Sequence, residues 1–453
     1  MWEAHIIVPE RVQNILAQLN HAGFEAYAVG GCVRDSLRGE CPQDWDICTS
    51  AMPQETISCF PEDRTVLTGV EYGTVTLVRD QQTYEITTYR TEEGYVDCRH
   101  PGQVHFLREL QGDLMRRDFT VNAMAADASG KVVDLFGGME DLKRGIIRCV
   151  GQAEARFSED ALRILRGLRF AARLGFSFSP ETAQAIHKLR DNLGFVAPER
   201  LQKELNGLLL GKDAPRILEE FADVLCVLIP DLGETIGFYQ HNPHHDLDVW
   251  GHTLKAMEAA EADVHLRLAV LLHDIGKPAT FTLDEAQIGH FYGHEALSAQ
   301  MTREILQRLR YDKETVRVVT ALVEEHGCHL ASLTAKGLRR RLARLGEPLF
   351  RKLLRLQRAD GLGGRTQDPK EVEEAIRQAE ENLGTVLAAD ACLSLRQLAI
   401  NGKDLQALGI PQGKEIGRIL NRLFDAVLEE TLPNERAALL EAAKDLDKTD
   451  KIM

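Results

Sequence analysis

The sequence predicts an α+β protein: a mixed α/β head with a largely antiparallel sheet, then helices to the C-terminus. Three observations predict it. Short alternating apolar segments, separated by glycines and polar turns, fill roughly the first 150 residues. From Ser158 onward the apolar residues recur at helical spacing instead. At 453 residues the chain is too long for one ordinary core, so two to four domains are expected. The expected divisions are a head over 1–150, a helical neck over 151–215, a helical body over 216–365 and a helical tail over 366–453.

In chain order, Val12, Ile15, Leu16 and Leu19 give residues 9–22 a helical apolar face. Ala26 to Val29 is a strand that Gly30 and Gly31 break, and Val33 to Leu37 starts a helix. Asp44 to Cys48 is a strand, because Trp45 and Ile47 alternate with the aspartates. Residues 73–78 and 83–89 alternate as two more strands, joined by a turn at Asp80. Residues 91–113 read as a long polar loop, which in a compact domain is commonly functional. Val132 to Phe136 closes the head with a strand and a Gly-Gly turn. Ser158, Glu159 and Asp160 read as the start of the first neck helix, with acids in its first turn. Later breaks are expected at Gly194, Pro230, Pro243, Pro278, Gly327 and Gly361.

The formal charge of −15 argues against a chain that is basic throughout. Residues 1–150 carry −9 and 216–453 carry −8, but the neck carries +2. Lys336 to Arg358 holds nine basic residues against the single acid Glu347, so a polyanion can be held locally, or the segment is a solvated helix face. No apolar run reaches the roughly 20 residues of a membrane span, and the N-terminus does not read as a signal peptide. Nine scattered cysteines without a Cys-x-x-Cys pair fit reduced thiols in a cytoplasm.

The stretch from Val29 to Asp46 carries the first chemistry. Gly30 and Gly31 let the backbone approach a triphosphate, and the helix N-terminus that follows favours an anion. Arg34 is placed to pair with phosphate oxygens. On a strand, Asp44 and Asp46 project from one face and can hold two divalent ions. Glu85 is a candidate third carboxylate or an ordinary exposed acid. Each signal alone is weak. Together they resemble the nucleotidyltransferase signature shared with DNA polymerase beta.

Later segments narrow the resemblance. Arg116 to Met124, Asp134 to Asp141, Glu159 to Arg169, and Pro198-Glu199-Arg200 with Glu204 follow in order. The series resembles the motifs of the bacterial tRNA nucleotidyltransferase and poly(A) polymerase family, and the chain is identified as similar to class II CCA-adding enzymes. The resemblance implies that Asp44 and Asp46 are catalytic and hold Mg2+. It implies nucleotide binding by Gly31, Arg34, Arg117, Asp160, Arg163, Arg166 and Arg169. The substrates implied are CTP, ATP and the 3′ end of tRNA, with pyrophosphate released.

Asp160, Arg163, Arg166 and Arg169 lie three residues apart, as in one polar stripe of a helix. By spacing alone this is a salt-bridged surface. The resemblance instead makes Asp160 and Arg163 the readers of the base edge. Cytosine and adenine both present an amino donor beside a ring-nitrogen acceptor; a carboxylate and a guanidinium match that order, and guanine and uracil lack it. Residues 91–113 resemble the flexible loop of the family, through Tyr89 to Glu92, Arg99 to Pro101, and Asp113 with Leu114. That loop argues against an enzyme limited to adding two cytidines.

A second constellation lies in the body. His252, the pair His273-Asp274, and Asp360 follow the order of the HD phosphohydrolase superfamily, whose ligands bind a divalent metal. His294 and His326 can complete a second position, and His241, His244 and His245 form a loop read as near the site. Two rival readings stay open: an A-adding enzyme or poly(A) polymerase of the same family, and a metal-dependent HD phosphohydrolase whose head only binds RNA.

Overall fold

The computed structural model describes residues 4–93, 103–241, 246–328, 330, 333–364, 368–388 and 392–450. Parts of the expected loop, including Arg99 to Pro101, and the residues His244 and His245 lie outside the described residues. The chain divides into two compact units, Met1–Gly233 and Glu234–Met453. The division expected at residue 216 falls inside a helix, Ala214–Glu220, which belongs with the first unit.

The first unit begins with helix α1 (Glu10–His21), whose Val12, Ile15, Leu16 and Leu19 are buried as the spacing requires. Strand β1 (Ala26–Val29), helix α2 (Gly31–Leu37), strand β2 (Ile47–Thr49), helix α3 (Pro53–Cys59) and strands β3 (Arg64–Gly69), β4 (Thr74–Arg79) and β5 (Gln82–Thr88) follow. Asp80 and Gln81 have positive φ of 52° and 63°, the mirror-image turn that a two-residue hairpin needs between β4 and β5. Next come β6 (Arg90–Glu93), β7 (Gln103–Phe106), α4 (Leu110–Met115), β8 (Met124–Ala126), β9 (Val132–Asp134) and α5 (Gly138–Arg144). Seven strands form one sheet in the order β3-β4-β5-β2-β1-β8-β9. Only β2 and β5 pair in parallel; every other neighbour in that sheet is antiparallel.

Alternation sorts the sheet into two faces. Ala26, Ala28, Ile47, Leu77 and Ile86 pack with the apolar side of α1 and with Val33 of α2. Val29, Cys48 and Ala125 face the other way, against Tyr89 and against Leu110 and Leu114 of α4. Burying four α1 side chains contributes about 1.5–3 kcal/mol each, which anchors the helix ahead of the Gly-Gly turn.

Three expectations change here. Strand β2 starts at Ile47, so Asp44 and Asp46 stand in the segment that leads into it. Pairing with β1 ends there because Gly30 turns away at φ 82°, although Val29 still donates to the Asp46 carbonyl at 2.9 Å. The polar segment expected as a loop is in part a hairpin, with Arg90 paired to Phe106 and Glu93 to Gln103. The strand β3 and helix α3 were hidden by weak local patterns.

The neck contains α6 (Ala153–Glu159), α7 (Leu162–Leu174), α8 (Pro180–Leu189), α9 (Pro198–Leu209), α10 (Ala214–Glu220) and α11 (Ala222–Leu228), with a small parallel pair of β10 (Ile146–Ile147) and β11 (Ser177–Phe178). Ser158 and Glu159 do not start a helix; they end α6. The Ser158 hydroxyl donates back to the Glu154 carbonyl, and Asp160 is extended (φ −139°, ψ 103°) before α7 begins.

The second unit is helical: α12 (Val249–Ala259), α13 (Val264–Leu272), α14 (Lys277–Thr280), a small hairpin of β12 (Thr282–Leu283) and β13 (Gly289–His290), then α15 (His294–Arg308), α16 (Lys313–Glu325), α17 (Ala335–Leu345) and α18 (Glu347–Gly363). Gly361 does not break the chain; α18 runs through it to Gly363. The tail adds α19 (Pro369–Ala388), α20 (Gly402–Ala407), α21 (Lys414–Leu428) and α22 (Arg436–Asp450), the last three around Leu405, Ile419, Leu423 and Leu439. Among the described residues no helix is long and apolar enough to cross a membrane, and the eight described cysteines are unpaired.

Candidate functional site

The segment Arg116–Asn122 is the hub of the first unit's site. On one side it reaches the Gly-Gly turn: a side chain at Gly30 would come within 3.2 Å of Arg117 Nη1, and Arg34 Nη1 donates to Asn122 Oδ1 at 2.5 Å. On the other side it reaches the neck. Arg166 donates from Nε and Nη2 to Asp118 Oδ2 at 2.9 and 2.6 Å, and Arg163 Nη2 donates to the Arg116 carbonyl at 3.1 Å. The fully buried Asp113 holds Arg116 and Arg117 at 2.7 and 3.0 Å. Cradle, hub and base-edge candidates therefore form one connected array.

Asp46 stands at the mouth of this array. Burial pushes its carboxyl above the usual range, Glu85 and Asp44 add to the rise, and Arg117 opposes it. Glu85 sits on β5 next to Ile86, which is in register with Ile47, so alternation puts Glu85 and Asp46 on the same face. The two acids beside Asp46 supply carboxylate oxygens, the ligand type that hard divalent cations take. The chemistry of these residues fits a divalent cation, which Asp44 and Asp46 would hold.

Gly31 is the first residue of α2, where the chain's backbone N–H groups are unsatisfied by the helix itself. Arg34 is buried and lies 5.3 Å from the Phe170 ring centroid, with Arg169 4.3 Å from the same ring. Arg169 also donates to the buried Glu204 at 2.5 Å.

Asp160 and Arg163 are each held from behind. Asp160 Oδ1 accepts from the Leu162 amide at 3.1 Å, and Oδ2 accepts from Arg200 Nη2 at 2.9 Å. Arg163 Nη1 donates to Glu159 Oε2 at 2.6 Å and to the Arg156 carbonyl at 3.1 Å. The break between α6 and α7 separates Asp160 from the helix that carries Arg163, Arg166 and Arg169, so the four are not one continuous stripe. Sequence reasoning missed Asp118, Asn122, Glu159 and Arg200 as organisers. All four lie inside segments it had quoted, which was the available signal.

In the second unit, His252 on α12, His273 and Asp274 after α13, and Asp360 on α18 converge. His252 Nε2 is 2.8 Å from Asp360 Oδ1, and His273 Nε2 is 3.2 Å from Asp274 Oδ2 and 3.3 Å from His252 Nε2. His294, at the start of α15, and His326, after α16, approach the other oxygen of Asp274. Lys277 Nζ lies 2.7 Å from Asp274 Oδ2 and 2.9 Å from Gln240 Oε1.

The basic run of α17 and α18 is largely self-neutralised. Arg341 and Arg344 pair with Glu325, Arg340 with Glu429, Arg339 with Glu430, Lys352 with Asp263, Arg355 with Glu261 and Arg358 with Glu373. It is a salt-bridged surface that joins helices, and not an open basic patch.

A mixed sheet with a Gly-Gly turn, carboxylates on and beside its interior strands β2 and β5, and a cationic neck defines a nucleotidyltransferase. Residues 26–148 match the family model described as poly A polymerase head domain, residues 175–231 the RNA and SrmB-binding site of polymerase A, and residues 290–443 the tRNA nucleotidyltransferase domain 2. A CCA-adding enzyme of Lactiplantibacillus plantarum is 35% identical over 437 residues, covering 95% of this chain and 94% of that one. One from Leuconostoc mesenteroides is 51% identical over 207 residues, which span 46% of this chain and about half (51%) of the relative. A crystal structure of the Bacillus stearothermophilus CCA-adding enzyme in complex with CTP superposes with a TM-score of 0.71 at 29% identity, covering 98% of this chain and 99% of that one. The chain belongs to the family of CCA-adding enzymes.

Proposed function

We propose that this chain adds or repairs the 3′-terminal CCA of tRNA, transferring CMP and AMP from CTP and ATP and releasing pyrophosphate, with no nucleic-acid template. The observation that carries the proposal is the hub Arg116–Asn122, which joins Arg34 of the phosphate cradle to Arg163 of the neck. When bound by Asp44 and Asp46, Mg2+ supplies activation of the attacking 3′-hydroxyl and charge for the leaving pyrophosphate. Gly31 and the α2 backbone, with Arg34 and Arg117, bind and orient the triphosphate. Asp160 accepts from the exocyclic amino group of C or A, and Arg163 donates to the adjacent ring nitrogen. Arg166 and Arg169 favour phosphate or the RNA 3′ end. Nucleotide addition to tRNA lacking CCA, and to tRNA ending in CC, tests the proposal with labelled CTP and ATP. Absence of C incorporation would favour the A-adding or poly(A) polymerase reading.

The convergence of His252, His273, Asp274 and Asp360 supports a second reading: the helical body is a metal-dependent phosphohydrolase. His273→Ala is expected to abolish phosphoester hydrolysis and spare nucleotide addition, while Asp44→Ala does the reverse. Loss of both activities in either variant would refute two separate sites.

A further inference from the structure

We infer that Phe170 is a positioning residue for the incoming triphosphate: its ring is the common seat of Arg34, Arg166 and Arg169 and aims them at one phosphate chain. This role rests on the nucleotidyl-transfer reading and deepens it, since that reading leaves Arg166 and Arg169 open to either the triphosphate or the RNA 3′ end.

The guanidinium carbons of Arg34, Arg166 and Arg169 lie over the Phe170 ring, 5.3, 5.6 and 4.3 Å from its centroid. Three cations so near one point repel one another. Carboxylates offset part of this, one for each arginine. Asp35 accepts from Arg34 Nε at 2.7 Å, Asp118 from Arg166 Nε at 2.9 Å, and Glu204 from Arg169 Nε at 2.5 Å. Each acid thus holds the Nε edge of its guanidinium. Among the described residues no hydrogen bond takes Arg166 Nη1 or either Nη of Arg169. An aromatic face attracts a cation without carrying a charge. It gathers the guanidiniums and leaves their unused N–H groups to phosphate oxygens. An aliphatic side chain would be buried there as well but would offer no such attraction.

The ring is itself fixed. Phe170 is buried on α7, with the Phe119 ring edge-on at 6.0 Å and 81°. Phe119 belongs to the Arg116–Asn122 hub, so the hub sets the plane of the seat. On α9, a Cβ at Gly207 would lie 2.4 Å from Arg169 Cδ. The bare backbone at Gly207 therefore leaves room for the Arg169 stem.

Arg34 decides which phosphate is served. It is buried on α2, the helix that begins at Gly31, and its Nη1 is spent on Asn122. Held so, it cannot turn outward to meet RNA, and the anion within its reach is the one cradled at the Gly-Gly turn. Arg166 and Arg169, with side chains 36% and 21% exposed, share its ring and serve the same anion.

Calorimetric affinities of the full chain for CTP, ATP, UTP and inorganic tripolyphosphate test this role, beside the KM for tRNA. Phe170→Leu is expected to weaken all four ligands about tenfold, the loss of one or two partly desolvated cation–π contacts. The UTP-to-CTP ratio and the KM for tRNA should hold, because Asp160 and Arg163 read the base. Phe170→Tyr keeps the aromatic face and should stay within about threefold of wild type. Gly207→Ala leaves the ring in place but must displace Arg169, while alanine favours the helix over glycine. It should weaken the same four ligands about threefold, and it decides the matter if Phe170→Leu does not fold. Unchanged affinities in a folded Phe170→Leu, or in Gly207→Ala, would overturn the role. So would an equal loss in Phe170→Tyr, a collapse of the UTP-to-CTP ratio, or a rise confined to the KM for tRNA. A wild type that binds the triphosphates but adds no C to tRNA would sink the CCA-adding reading alone.

Discussion

Arg200 Nη2 donates to Asp160 Oδ2 at 2.9 Å, tying the first turn of α9 to the extended residue between α6 and α7. Asp160 lies outside any helix, so backbone hydrogen bonding alone does not fix its carboxylate. The guanidinium supplies that orientation. A charge-assisted hydrogen bond contributes about 1.5–3 kcal/mol, roughly 10- to 150-fold. Arg200→Gln is therefore expected to lower discrimination for CTP over UTP by at least about tenfold, raising KM more than it lowers kcat. Asp160→Asn should lose more. An unchanged UTP-to-CTP ratio in Arg200→Gln, with Asp160→Asn impaired, would leave base reading intact and refute the orienting role.

Loss of either Asp44 or Asp46 should be severe. Outer partners of metal ligands alone are worth about 10–100-fold, so Asp44→Asn and Asp46→Asn are each expected to lower kcat by more than about 100-fold. Glu85→Gln should show a smaller effect if Glu85 only tunes Asp46. Single-turnover CMP addition measures all three, and a near-normal Asp46→Asn would refute the metal assignment.

Asp118 carries a pH dependence. Burial raises its carboxyl, but Arg166 and its other hydrogen-bond partners outweigh that and hold it below the usual value. A carboxylate with a depressed folded pKa adds stability that is complete above its unfolded value of about 3.9. That contribution fades as pH falls through the lower folded value. Asp118→Asn should thus be less stable than wild type at pH 7 by about 1–3 kcal/mol, because the buried site loses its charge-assisted bonds while water screens the partly exposed Arg166. The gap should narrow below about pH 4. Urea unfolding at both pH values checks the sign; a gap that widens on acidification would contradict it.

The α17–α18 surface should contribute little to tRNA affinity. Its cations already face acids, so few counterions are released from them on binding RNA. Arg340→Gln with Arg344→Gln is expected to change the salt slope of tRNA binding by less than about one. A larger drop, in filter binding across 50–300 mM salt, roughly the range where such slopes are read, would show that these arginines leave their partners for RNA.

The sequence by itself determined the order of α/β head and helical remainder, the edges of α1 and the β4–β5 turn, and the residue types at two candidate metal sites. Those features are local: helical and strand periodicity, turn chemistry, and motifs written in consecutive residues. Tertiary structure decided the rest. Whether Asp44 and Asp46 lie in a strand depended on where β1 stopped pairing, which Gly30 settles at φ 82°. Whether Asp160 joins the arginine helix depended on a chain break that helical spacing cannot register. The basic run was legible as charge, but its neutralisation needed Glu325, Glu429 and Glu430 brought from elsewhere. Asp274 reads in sequence as one ligand among several; only the packing of five helices gives each of its oxygens a different pair of histidines. Local pattern reports which groups a segment carries, while long-range burial and pairing decide what those groups face.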